Sequence, residues 1–99
     1  MNIEISKRFV KDTEKISDKR ILEKIQQVLS LAVHVKKLTD LADLEEMSGF
    51  PNFYRIKFDY RYRIGIYCDL ETIQFLRVGS RESFYKKFPW CRIVYEWSM

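Results

Sequence analysis

The hydrophobic period of this chain changes once, and that change divides it into two kinds of structure. From Phe9 to Val35 apolar residues return every three or four positions, whereas after Asn52 they return every second position. The first period belongs to helices with one buried stripe, the second to strands with one buried face. Ser6 is placed to cap a first helix carrying Phe9, Val10, Thr13 and Ile16. Asp18 is placed to cap a longer one carrying Ile21, Leu22, Ile25, Val28, Leu29, Ala32 and Val35. The two read as a helical hairpin. Thr39 or Asp40 is expected to start a third helical turn with Leu41, Leu44 and Met47, ended by Gly49, Pro51 and Asn52.

The second half alternates. Phe53 to Phe58, Arg61 to Cys68 and Thr72 to Val78 read as three strands, separated by the short turns Asp59-Tyr60 and Asp69-Leu70-Glu71. Turns this short join antiparallel neighbours. Asn2 to Ile5 suits a short first strand, Arg81 to Lys87 a helical turn or two, and Cys91 to Trp97 has strand composition without an assigned place. The expected architecture is α+β: an N-terminal helical hairpin packed on a twisted antiparallel β-sheet, in one domain over residues 1–99.

Charge follows the same division. Residues 1–49 hold nine Lys/Arg and nine Asp/Glu, while residues 50–99 hold nine and five, so the whole net charge of +4 lies in the second half. Such a field suits a polyanion. The N-terminus lacks the apolar core of a signal peptide, and no run is long enough to cross a bilayer, so a cytoplasmic chain with two reduced thiols, Cys68 and Cys91, and no membrane partner is expected. One histidine, His34, and no Cys-x-x-Cys leave no evident zinc site, and no metal or other cofactor is expected.

The alternation also assigns faces. Tyr54, Ile56 and Phe58, with Tyr62, Ile64 and Ile66, point toward the helices, and Arg55, Lys57, Arg61 and Arg63 point away together. Cations on an exposed sheet face are common and discourage edge-to-edge pairing. Four neighbours of like charge nevertheless repel, and Arg81 and Tyr85, four apart, bring a further guanidinium and a phenol to one end of the same sheet.

In order, the helical hairpin, Phe53-Tyr-Arg-Ile-Lys-Phe58, Tyr62-Arg-Ile-Gly-Ile-Tyr67 and Val78-Gly-Ser-Arg-Glu82 resemble the RelE/ParE toxin superfamily over about Ile3 to Tyr85. The resemblance implies a toxin of a type II toxin–antitoxin pair with a cognate antitoxin protein as partner. In the RelE branch it implies an endoribonuclease that cleaves mRNA, usually on the ribosome. The residues matching that branch are Arg55 and Lys57, Arg63, Arg81 and Tyr85; Lys57, Arg63, Arg81 and Tyr85 are assigned to catalysis, and Arg55, with Arg61 from the same sheet face, to substrate binding. The tail from Phe88 to Met99 has no counterpart in that pattern.

The implied chemistry is attack of an RNA 2′-OH on the adjacent phosphate. His34 lies among helix residues and is assigned no part. Unperturbed lysine and tyrosine titrate near about 10.4 and 10. Crowded cations disfavour a further ammonium charge and favour an ionised phenol, so the cluster has a chemical use. Phe53, Tyr67 and Phe84 are candidates for stacking on bases. Two other readings stand: a ParE-like toxin that inhibits DNA gyrase, and a non-catalytic module that binds nucleic acid or the ribosome.

Overall fold

One serine connects the start of the chain to a strand seventy residues later. In the computed structural model, which describes residues 1–88, the Ser6 hydroxyl accepts from the Phe9 amide at 3.0 Å and donates to the Leu76 carbonyl at 2.9 Å. The first bond caps a helix; the second fastens that helix to a strand. The elements run β1 (Asn2–Ile5), α1 (Lys7–Glu14), α2 (Lys19–His34), a 3₁₀ turn (Leu38–Asp40), β2 (Leu44–Glu46), β3 (Phe53–Phe58), β4 (Tyr62–Asp69), β5 (Thr72–Ser80) and α3 (Arg81–Lys87). Ser6 caps α1 and Asp18 caps α2, as their positions before the apolar repeats predict.

Among the described residues the sheet has five strands in the order β1-β5-β4-β3-β2. The pairs β2–β3, β3–β4 and β4–β5 are antiparallel, and β1 joins β5 in parallel. The sheet is therefore mixed, where the turn lengths alone predict antiparallel pairing throughout. A parallel pair needs a long crossover, and here residues 6–71, about two thirds of the chain, lie between the two strands. The expected third helical turn is also corrected. A single 3₁₀ turn forms earlier, and Leu44 lies on edge strand β2, whose three residues pair with β3. So short a strand is too brief to show its period. The strand composition at Cys91 to Trp97 lies outside the described residues.

Each face of the sheet buries a core. On one face Ile56, Ile64, Ile66, Ile73, Phe75 and Val78 meet Phe9, Ile21, Ile25 and Ala32 of the hairpin. Phe9 stands edge-on to Phe75 with ring centroids 5.7 Å apart. On the other face Phe53 and Leu76 meet Phe84 and Phe88, with Met47, Phe50 and Tyr67 packed alongside. Alternation assigns Phe53 and Tyr67 to this outward side but does not reveal that α3 folds back to cover them. Gly65 permits the closure, because a Cβ there would come within 2.6 Å of the Phe88 ring.

Beyond β1, α1 continues along the edge of β5. Its Asp12 carboxylate is buried and accepts from Val78 N at 3.1 Å, Arg77 Nε at 2.8 Å and Arg77 Nη2 at 3.0 Å. The carboxylate thus takes the place of a neighbouring strand at an otherwise open edge. Asp12→Ala would remove the charged acceptor of a largely buried guanidinium and of the Val78 amide. The expected loss is about 3–5 kcal/mol of stability in urea unfolding, with the slope of the transition unchanged. A loss below about 1 kcal/mol would assign the pair no structural weight.

Candidate active site

Cross-strand register sorts the outer face into rows. Lys57 is opposite Arg63, which is opposite Gly79. One row on, Glu45 is opposite Arg55, which is opposite Gly65. Beyond these, Phe53 and Tyr67 form the floor of the second core. The face therefore has a cationic half toward the β3–β4 turn and an apolar half under α3.

Arg55 is largely buried. One of its nitrogens donates to Glu45 Oε2 at 2.6 Å and the other to the Tyr85 hydroxyl, with the guanidinium 5.7 Å from the Tyr85 ring centre. Register brings Glu45, and α3 brings Tyr85 from thirty residues away. The Arg55 guanidinium holds the Glu45 carboxyl below the usual carboxylate range, first through the hydrogen bond and then through charge.

Arg63 is 6% exposed. Its Nη1 donates to the Tyr60 carbonyl at 3.1 Å and the Tyr62 carbonyl at 3.0 Å, while its buried Nε has no hydrogen-bond partner among the described residues. Burial lowers its pKa, and the charges of Arg55 and Arg81 lower it further. Register puts Arg55 on the strand beside Arg63, and α3 begins two residues beyond Gly79, the β5 partner of Arg63, so the three arginines belong to the same part of the face. Arg63 also clamps the turn before it, a structural task that its sequence motif does not announce.

Arg61 lies in that turn and not on the strand, because β4 begins at Tyr62. Asp59 and Tyr60 adopt φ of 47° and 60°, which curls the chain and takes Arg61 out of the ladder. The Arg61 carbonyl accepts from the Arg81 amide at 2.6 Å, so the turn and the start of α3 are joined. Tyr60, Arg61, Ser80, Arg81 and Glu82 line an open depression of about 410 Å³ at this end of the sheet. Lys57, Arg61 and Arg81 are exposed.

The proposed stacking residues fare otherwise. Phe53 is 8% and Phe84 0% exposed, and Tyr67 packs edge-on against Phe53 at 4.9 Å. All three belong to the second core. His34 is the exposed last residue of α2 and stays away from the cationic face. Among the described residues no group of three or more His, Cys, Asp and Glu is arranged to hold a metal ion, and no helix is long and apolar enough to cross a membrane.

The chain has known relatives. Residues 3–85 match the family of the ParE toxin of type II toxin–antitoxin systems. The chain belongs to the RelE/ParE toxin superfamily. It is 36% identical to Toxin RelE3 of Methanocaldococcus jannaschii, over 90% of this chain and 100% of that one. The RelB–RelE antitoxin–toxin complex from Methanococcus jannaschii contains a similar chain, with TM-score 0.75, 32% identity, and 87% of this chain and 99% of that one covered. YafQ from E. coli shares the fold at TM-score 0.65 and 19% identity, over 83% of this chain and 94% of its own. The protein is thus a RelE-like toxin of the type II class.

Asp59 anchors the turn of this toxin to α2, accepting from Lys24 Nζ at 2.7 Å and Arg20 Nη2 at 3.5 Å. The Lys24 hydrogen bond lowers its pKa most, with Arg20, Lys24 and Arg61 adding charge. A depressed folded-state pKa contributes stability above the unfolded value, about 3.9, and that contribution is lost as pH falls through the folded value. Asp59→Asn should therefore flatten the acid limb of stability, read as thermal midpoints from about pH 2 to pH 6. An unchanged limb would show that the anchor carries no linkage.

Proposed function

We propose that the cationic half of the outer face is the active centre of an endoribonuclease that cleaves messenger RNA on the ribosome, without a metal ion. One observation carries the reading: Lys57, Arg63, Arg55, Arg81 and the Tyr85 hydroxyl, drawn from two strands and a helix, share one neighbourhood. Keeping so many like charges together is costly unless an anion lies between them.

In the reaction, the 2′-oxygen of one nucleotide attacks its own 3′-phosphorus. The bond from phosphorus to the 5′-oxygen breaks, leaving a 2′,3′-cyclic phosphate and a 5′-hydroxyl. One protein group takes the 2′-proton and another supplies a proton to the leaving oxygen. Lys57 and Tyr85 are the two groups on this face suited to move protons. Arg55 donates to the Tyr85 oxygen, so the phenolic proton is directed elsewhere. Exposed Arg81 is free to fork the phosphate, and Arg63 adds its charge from below as negative charge grows. The same field repels a divalent cation.

The family points to a cognate antitoxin as partner, as the RelB–RelE complex exemplifies. A second reading follows from the family name itself: a ParE-type toxin acting on DNA gyrase through protein contact. Induction that fragments transcripts supports the first reading, and induction that damages DNA with transcripts intact supports the second.

Ribosome-bound mRNA cut by the chain should carry 5′-hydroxyl ends, mapped by primer extension, and the cutting of naked RNA by excess purified chain, with no ribosome for chelation to dismantle, should persist in EDTA. Arg81→Ala should cut about 10²- to 10³-fold more slowly with its circular dichroism unchanged. Loss of cutting on chelation would refute the metal-free route. Undiminished cutting by Arg81→Ala would refute the assignment of that residue.

A further inference from the structure

The two ends of the sheet differ in chemistry. Each ends in a tight turn that exposes a large side chain at positive φ: Tyr60 at 60° and Leu70 at 56°, both 90% exposed. Around Leu70 a depression is lined by Glu4, Asp69 and Glu71, which repel phosphate. Around Tyr60 the lining includes Arg61 and Arg81, with Glu82 as the one acid. The exposed ring is thus at the basic end.

Tyr60 serves no core. Among the described residues the aromatic rings open to solvent are Tyr60 at 90% and Tyr85 at 38%, and Tyr85 is engaged with Arg55. A tyrosine at positive φ also carries backbone strain that glycine or asparagine would avoid. The Arg63 clamp on the Tyr60 carbonyl holds the strained residue in place. An exposed aromatic ring beside cations is the pairing by which proteins hold single-stranded nucleic acid.

We propose that the depression between the β3–β4 turn and the start of α3 is a nucleotide subsite for single-stranded RNA. One base stacks on Tyr60, the adjoining phosphate meets Arg61, and Arg81 lies between this subsite and the reacting phosphate. The proposal rests on the reading of the outer face as an RNA site and extends it by one nucleotide. Stacking is indifferent to base identity, so the subsite confers affinity and register more than sequence choice. Glu82, in the first turn of α3, favours the helix end but opposes the phosphate.

The test uses the full chain and a non-cleavable 2′-O-methyl hexanucleotide. Tyr60→Ala should weaken binding about 5- to 150-fold, and Tyr60→Phe should retain it. Tyr60→Gly, which relieves the turn, should lose as much as alanine, separating the ring from the fold. One abasic position in the oligonucleotide should cost as much as Tyr60→Ala, and the two losses should not add. Arg61→Ala should reduce the salt dependence of log K by about 0.7, and Glu82→Gln should tighten binding. Wild-type cleavage with unchanged binding by Tyr60→Ala overturns this proposal alone. Full additivity with every abasic position also overturns it. A wild-type chain that neither binds the oligonucleotide nor cuts ribosome-bound mRNA overturns the ribonuclease reading and this one together.

Discussion

The buried carboxylate of Asp12 is the joint on which the rest of the molecule turns. It takes two bonds from Arg77 and one from the Val78 amide, and so ties α1 to the edge of β5. Without it, β5 past Phe75 would have an open edge, since β1 pairs only Thr72 to Phe75. The joint fixes the line of β5 toward Ser80. Everything after Ser80, including Arg81 and Tyr85, depends on where that strand ends. A bond made near the start of the chain thereby positions one end of the candidate site without touching it.

The outer face is a compromise between packing and charge. Leu76, set at a register irregularity opposite Gly65/Ile66, turns into the second core with Phe53, Phe84 and Phe88. That core holds α3 down, and α3 carries Tyr85 to Arg55. Gly65 is the hinge of the arrangement, since its bare backbone lets Phe88 lie on the sheet beside the cations. Apolar burial under α3 offsets the repulsion that the neighbouring charges generate. Glu45, on the edge strand, neutralises Arg55 in part, and its exposed position leaves its carboxylate open to competition from a stronger anion.

Arg63 unites the two requirements. Its burial and the charges of Arg55 and Arg81 all act against its own charge, yet it remains protonated, as arginine does at any physiological pH. Its bonds to the Tyr60 and Tyr62 carbonyls convert that charge into a rigid turn. The residue that supplies positive potential to the face thus also shapes the turn that carries Tyr60 and Arg61.

Much of this was decided by local chemistry that a sequence displays. Helix caps at Ser6 and Asp18, the helical repeat of α1 and α2, and the alternation of β3, β4 and β5 are short-range effects, repeated often enough to be read. Alternation also placed Arg55, Lys57 and Arg63 on the outward side. Tertiary structure decided the rest, because it brings together residues that share no local pattern. The parallel pairing of β1 with β5, the strand at Leu44 and the shift of Arg61 into a turn depend on partners or backbone angles that periodicity does not encode. The same is true of Phe53, Tyr67 and Phe84. By sequence they are candidates for stacking on bases, but the return of α3 gathers them into a second core, and Tyr60 is the most exposed aromatic ring among the described residues. Burial is a property of what arrives from elsewhere in the chain, and no single segment carries that information.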